Sequence, residues 1–548
     1  MLKLNGKIAY TLLALLGMVL FLPFLGSVHL FDWDEINFAE CAREMLVTGN
    51  YTTLQMNFFP FWEKPPLFIW MQALSMEMFG VNEFAARFPN AFCGIVTLLF
   101  IFKAGQKIKN TQTAWLWVMM YVGSFLPQFY FHSGIIDPWF NLFIFSAFYF
   151  FVSYLLDKSK FGSLLLAGVC AGLALLTKGP AAIIILGLVL FVFQIKNKNK
   201  LLLPVSSFLL LLLIVAVVGG LWFLVLLLRG QQAILTEFVS YQYHLFHTED
   251  SGHGGPWFYH IIVLLVGCFP ASIFALKLLF KSAEGTADQE RYWLFAMRAL
   301  LFTVLILFSV VQTKIVHYSS LCYFPLTFLA AYQLNAWIEA KQKLPNLNFA
   351  LLLGIGLIYL LLFIALPLFG TYSSAVIQSG VIKDDFAVEN LKAEVTWSAI
   401  DYLSAAFALA VLVLVFTLRK LMAFKQIALF VVLLIGMIES TLVLLVPKIE
   451  AYTQRVVIDF YKDLQGKDCY ATSLNYLSYA PPFYAQKRAP AFLKPREVTP
   501  WLLNGAIDKD AYFVSKVTDV ENYSTLYPQL IELKRSNGFV FYRRKASK

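Results

Sequence analysis

Two adjacent carboxylates, Asp34 and Glu35, follow a long apolar run, and a Glu63-Lys64-Pro65-Pro66 turn stands downstream of them. Almost everything around these groups is apolar. Charge at the mouth of so hydrophobic a chain is costly and points to function. Asp137-Pro138, Thr177-Lys178-Gly179-Pro180, Arg229 and Lys314 complete the set of conspicuous polar residues. A carboxylate at such a place can take a proton from a hydroxyl or orient a polar ligand. Lys64, at the start of an amphipathic stretch running from Leu67 to Phe79, opposes the helix dipole unless an anion lies between it and the helix N-terminus. Lys178 is a second candidate for a phosphate.

Each of these residues has a plainer reading. Asp32 or Asp34 can cap the helix expected over residues 33–48, with Glu35 completing a capping box and Gly49 stopping the helix. Asp137, before a proline, is a natural N-cap. Glu63 can pair with a neighbouring base. Lys178, Arg229 and Lys314 can snorkel to the membrane interface. The segment YQYHLFHTEDSGHGGPWFYH, residues 241–260, holds four of the seven histidines and could bind a metal.

The elements that must position these groups are membrane helices. The chain has 548 residues, of which 59% are hydrophobic and 14% charged, against about 25% charged in a soluble domain. The apolar runs near 8–30, 85–103, 113–131, 137–156, 162–176, 180–195, 201–228, 257–280, 292–311, 317–338, 348–370, 400–418 and 425–446 give about thirteen candidate crossings of roughly 20 residues each. Short Lys-rich loops fall on every second connection, among them Lys103/Lys107/Lys109 and Lys196/Lys198/Lys200. The positive-inside rule makes them cytoplasmic and puts the residues above on the opposite face. The net charge of +10 is therefore a topology signal, with no nucleic acid implied. The six scattered cysteines suggest no disulfide framework. No cleavage site follows the first apolar run, which is read as a retained span.

The expected domains are residues 1–446, a transmembrane unit whose first outer loop (31–84) carries the chemistry, and residues 447–548, a polar extracytoplasmic α/β domain. Runs such as DCYATS, DAYFVSKV and GFVFYRR alternate as strands do. The fold class is an α-helical polytopic membrane protein with amphipathic juxtamembrane helices and a small C-terminal α/β domain. The 33–48 helix, too short and too charged to cross, is expected to lie along the membrane surface.

The order of motifs resembles a known family. An Asp-Glu pair after the first span is followed by Glu-Lys-Pro-Pro, Asp-Pro at the fourth span, Thr-Lys-Gly-Pro, His-Gly-Gly-Pro and Lys-x-x-x-Tyr. This is similar to the GT-C-fold, lipid-phosphate-dependent glycosyltransferases, nearest the 4-amino-4-deoxy-L-arabinose (lipid A) transferases, with protein O-mannosyltransferases as relatives. The likeness covers most of residues 31–340. It implies a polyprenyl-phosphate-linked sugar donor and a lipid, glycan or protein acceptor, with transfer outside the cytoplasm of a bacterial inner membrane. It assigns Asp34 and Asp137 as acids, Lys64 to the lipid phosphate, and Tyr318 to the cavity; Glu35, beside Asp34, is a third candidate acid on its position alone. Glu63 and His253 match residues that hold a structural metal, zinc, in relatives. No cofactor is implied for the chemistry itself. One departure stands out: the family's His-x-x-Arg-Phe reads Tyr241-Gln242-Tyr243-His244-Leu245.

The chemistry implied is displacement at a sugar carbon, with Lys64 and Lys178 or Arg229 holding the leaving phosphate. A single displacement would invert that carbon. The alternative from another class is a polytopic transporter or lipid flippase. It needs ionisable groups at mid-span, and internal repeats favour it; no such repeat is evident in this chain.

Overall fold

The structure, a computed structural model, describes residues 6–198, 201–247, 254–281, 287–420, 422–488, 490, 492–519, 523 and 525–547. Most of it is helical. Among the described residues, eight helices are long and apolar enough to cross a membrane, including Glu83–Ile108, Asp137–Leu156, Phe161–Lys178, Val205–Leu228 and Asp288–Val310. Shorter apolar helices, such as Gly6–Phe21 and Ala181–Lys196, fill further segments of the expected set. The count of thirteen crossings is thus not established by helix length. The 257–280 segment shows why: it is two helices, Tyr259–Gly267 and Ala271–Phe280, parted at Pro270. Proline has no N–H to continue the ladder.

The first outer loop is built by local rules. The helix Asp34–Thr48 stops at Gly49, whose φ of 67° is left-handed and whose N–H bonds the Met45 carbonyl. Glycine takes that conformation without a Cβ clash. A two-residue hairpin, Gln55–Met56 with Phe59–Pro60, follows. Then Leu67–Phe79 forms, and Glu83–Ile108 begins with Asn82 accepting from the Ala85 N–H at 2.8 Å.

The structure adds one feature to this helix that its charged composition does not announce. Every residue of Asp34–Thr48 from Glu35 to Met45 is buried. Leu30, Ile36, Phe38 and Met45 share one core with Phe68 and Ile69 and with Val457, Ile458, Tyr461 and Phe541 from the C-terminal part. Each such side chain, fully buried, contributes about 1.5–3 kcal/mol. Within the helix Glu40 and Arg43 form a bidentate pair at 2.6 and 2.7 Å. Glu44 accepts the Phe58 N–H at 2.7 Å. Burial, and Glu40 beside it, push the Glu44 carboxyl up to about 9, so it keeps its proton at neutral pH.

The C-terminal part is a small sheet domain, as the alternating runs imply. Cys469–Leu474 pairs in parallel with Asp510–Lys516, which pairs antiparallel with Phe539–Arg544, which pairs antiparallel with Ile531–Ser536. Arg455–Lys462, Ala480–Ala485 and Pro495–Asn504 are its helices. The composition change at Pro447 falls inside one helical stretch, Phe424–Thr453. The sheet is therefore joined to the bundle by a continuous helical stretch, and through the shared core it packs against the loop of residues 31–84.

Candidate active site

Asp137 opens its helix with Pro138 behind it and is 2% exposed. Its carboxylate caps no helix N–H, and neither does that of Asp34; the capping role open to both is not the one they take. Lys178, the last residue of the antiparallel neighbour Phe161–Lys178, places Nζ 2.7 Å from Asp137 Oδ1. Gly179 then turns the chain at φ 73°, and a Cβ there would stand 2.9 Å from the Phe238 ring. Only glycine satisfies both the dihedral and the approach.

The second oxygen of Asp137 faces His317 Nε2 at 3.8 Å, and the same nitrogen lies 3.9 Å from Asp34 Oδ2. These spacings are electrostatic rather than hydrogen-bonded. Burial holds the His317 imidazole below its ordinary value; Asp137 and Asp34 pull it up, while Lys178 and Lys64 push it down. A largely neutral imidazole therefore stands between two acids that come from opposite ends of the loop system. The Asp34 side chain keeps 44% exposure and that of Asp137 only 4%.

Asp137 and Lys178 border a cavity of about 100 Å³ lined also by Lys64, Phe140, Asn141 and Tyr318, with Ile185, Phe308, Val311 and Leu321 as its apolar side. Lys178 Nζ sits 5.6 Å from the Phe140 ring and 5.4 Å from that of Tyr318. Lys64 Nζ is 5.3 Å from the Tyr241 ring. Among the described residues no carboxylate lies within salt-bridge distance of Lys64. Two lysines and one buried carboxylate leave the cavity one positive charge in excess, which an anion would balance.

Four of the residues singled out in the sequence stand elsewhere in the fold. Glu35 is turned away from the cavity: Arg87 donates to its two oxygens at 2.8 and 2.9 Å, the Phe31 N–H reaches it at 2.8 Å, and the Gly134 N–H completes the set. Burial raises this carboxyl and Arg87 more than offsets the rise, so the net shift is downward. Arg87 also binds the carbonyls of Leu25, Val28 and His29. Glu35 is thus an anchor for the chain leading into the loop, not a free acid. Lys314 is spent on the Phe308, Ser309 and Val311 carbonyls at the end of Asp288–Val310. Arg229 is exposed at the end of Val205–Leu228 and donates to Thr52 Oγ1 at 2.7 Å. The Glu63 carbonyl accepts from Gln242 at 3.3 Å.

The metal expectation cannot be completed. His253 lies outside the described residues, and among the described residues no group of three His, Cys, Asp or Glu converges as a metal site would.

Two residues were missed. Arg87 sits inside an apolar run, where a buried cation demands a partner, so the signal was present. His317 lies beside Tyr318 at a helix junction and carried no signal of its own; only folding brings it between Asp34 and Asp137.

Residues 63–222 match the profile of the dolichyl-phosphate-mannose-protein mannosyltransferases. The chain is 28% identical over 347 residues to the undecaprenyl phosphate-alpha-4-amino-4-deoxy-L-arabinose arabinosyl transferase 1 of Proteus mirabilis, covering 62% of this chain and 61% of that protein. It is 27% identical over 371 residues to the corresponding transferase of Shewanella sediminis, covering 64% and 65%. The chain thus spans less than two thirds of these curated relatives. Among solved structures, ArnT from Cupriavidus metallidurans, bound to undecaprenyl phosphate, superposes with a TM-score of 0.77 at 18% identity, covering 99% of each chain. The chain has the GT-C fold, and it resembles the arabinosyl transferase and protein mannosyltransferase branch of the lipid-phosphate-dependent glycosyltransferases.

Proposed function

We propose that the protein is an integral-membrane glycosyltransferase. It moves a sugar from a polyprenyl-phosphate donor to an acceptor at the extracytoplasmic face of a bacterial inner membrane. The observation that carries this reading is Lys64: a cation without a carboxylate partner among the described residues, in an apolar cavity beside the Lys178–Asp137 pair. The first outer loop (31–84) acts as one wall of the site, and residues 447–548 act as an outward domain above it.

The donor phosphate lies between Lys64 and Lys178, and its apolar tail leaves past Ile185, Phe308 and Val311. The bond between the anomeric carbon and the phosphate oxygen breaks, and its electron pair leaves with the phosphate. Both ammonium groups stabilise that developing charge. The acceptor oxygen attacks from the opposite face and inverts the carbon. Asp34 takes the acceptor proton, because it keeps solvent access and, among the described residues, has only the largely neutral His317 within ion-pair distance. If the acceptor is itself a phosphate, no base is needed and Asp34 orients it. Asp137 is a positioning residue that holds Lys178 and faces His317. Tyr318 shapes the wall beside Lys178. The polar cluster lies at helix ends, which favours chemistry at the membrane face over transport.

Release of polyprenyl phosphate from a synthetic sugar donor by the reconstituted protein, followed by mass spectrometry, tests the reading. Lys64→Ala lowers turnover about 10²–10³-fold, and Asp34→Asn lowers it about 10²-fold or more with a hydroxyl acceptor. Wild-type turnover in both folded variants would sink these roles. Retention of anomeric configuration in the product would sink the single displacement.

A further inference from the structure

A second cleft, of about 530 Å³, opens on the other side of the first outer loop. One wall is the hairpin turn at Asn57 and Phe59. The other is the edge strand Cys469–Leu474, with the turn Asn475–Tyr479 and one face of Pro495–Asn504. No function described above uses it. Its lining differs from that of the donor cavity. Thr472 and Thr499 present hydroxyls and Asn57 an amide, while Ser473, Ser478 and Asn475 also line the cleft but already bond the Tyr476 carbonyl, the Ala480 N–H and Asp519. Tyr470, Tyr476 and Tyr479 supply ring faces between them.

Hydroxyls, amides and ring faces together suit a sugar. Sugar hydroxyls exchange hydrogen bonds with the amides and hydroxyls, and sugar C–H faces pack on the rings. The cleft also has a sign. Lys487 and Arg488 line it, and no Asp or Glu does so among the described residues. The Arg488 guanidinium lies 4.6 Å from the Phe58 ring centroid, has no carboxylate within salt-bridge distance among the described residues, and is therefore held in place by the hairpin without being neutralised.

The cleft is joined to the proposed base. The Tyr479 N–H donates to Asp32 Oδ1 at 3.3 Å, and the Tyr479 ring lies 6.0 Å from that of Trp33. Asp32 and Trp33 lead directly into Asp34. The hairpin wall is fixed to the same helix through the Phe58 N–H on Glu44. Both walls are thus tied to the element that carries Asp34.

We propose that this cleft is the acceptor subsite, and that it takes an oligosaccharide bearing an anionic group, carboxylate or phosphate, and presents a hydroxyl of it to Asp34. The inference rests on the glycosyltransferase reading above. The acceptor hydroxyl oxygen forms the new bond to the donor's anomeric carbon, the old bond to phosphate oxygen breaks, and the acceptor proton passes to Asp34. The anionic group stays behind at Arg488 and Lys487.

The test uses full-length protein in lipid nanodiscs and four probes: trigalacturonate, maltotriose 6-phosphate, neutral maltotriose and an extended, unglycosylated peptide. Binding is read by saturation-transfer NMR. Both acidic probes, or whichever of the two carries the correct anion, bind about tenfold more tightly than maltotriose, and Arg488→Glu abolishes that preference. Asn57→Ala weakens all three sugar probes. Equal binding of the acidic probes to wild type and Arg488→Glu overturns the proposal. So does a preference for an extended, unglycosylated peptide laid against the edge strand. Binding of a polyprenyl phosphate is measured in the same samples, and both variants keep it. Failure of the wild-type protein to bind polyprenyl phosphate would instead overturn the transferase reading, and with it the acceptor role.

Discussion

Glu35 and Asp137 are both buried carboxylates, and each is paired with one cation. Their surroundings nevertheless separate structure from chemistry. Glu35 meets both arms of the Arg87 guanidinium and two backbone N–H groups, so its lone pairs are taken. The guanidinium in turn fills the carbonyls of Leu25, Val28 and His29. Asp137 meets one lysine amine at 2.7 Å and a histidine at 3.8 Å that does not reach hydrogen-bonding distance. The first arrangement is closed and fixes the chain. The second is open and has a cavity beside it. The difference also follows the cation: the planar fork of arginine matches a carboxylate in two places, while the lysine amine is a point charge left with donors to spare.

That contrast can be broken at its closed end first. Arg87→Met leaves the Glu35 carboxylate buried without a partner, and the loss is about 3–5 kcal/mol of stability. It appears as a large drop in the thermal midpoint in detergent. A variant as stable as wild type would show that the knot is not what holds the loop. The pairing also has a pH signature. The folded Glu35 carboxyl lies below its ordinary value, so its contribution is present above the ordinary carboxylate range near ~4.3. It is lost as pH falls through the lower, folded value. The thermal midpoint of wild type therefore falls on acidification into and below that range, and Glu35→Gln shows a smaller fall. An identical acid profile in the two proteins removes Glu35 from the account. The smallest effect is expected at Arg229, whose one contact is an exposed hydrogen bond to Thr52. Arg229→Ala changes stability by about 1 kcal/mol or less and leaves donor turnover within about twofold, a free-energy change of about 0.4 kcal/mol. A large fall in turnover would return Arg229 to the phosphate site from which the fold separates it.

Much of the fold was legible because its causes are local. Apolar run length gave the helical bundle, alternation gave the strands of the C-terminal sheet, and Gly49 gave the end of the Asp34–Thr48 helix. The burial of that helix was not legible. Its charged composition reads as a surface element, and only the partners Arg43, Arg87 and Phe58, two of them distant in sequence, show how the charge is accommodated. The same limit applied to the cations. Lys64, Lys178, Arg229 and Lys314 look alike as outward charges in apolar surroundings. Lys314 folds back onto the end of its own preceding helix, while Arg229 finds Thr52 across the loop. Lys64 and Lys178 alone of the four line the cavity.

By itself, the sequence determined that the chain is a membrane bundle with its polar groups at helix ends and a folded polar C-terminus. Periodicity and run length report free energies that each segment settles with solvent and lipid on its own. Tertiary structure decided which charges are left over. Satisfaction of a buried charge depends on partners far away in the chain, as with Glu35 and Gly134 or Lys178 and Asp137. It also decided that the sheet domain and the first outer loop share a core and a polar cleft, because the packing of two surfaces is a property of neither segment alone.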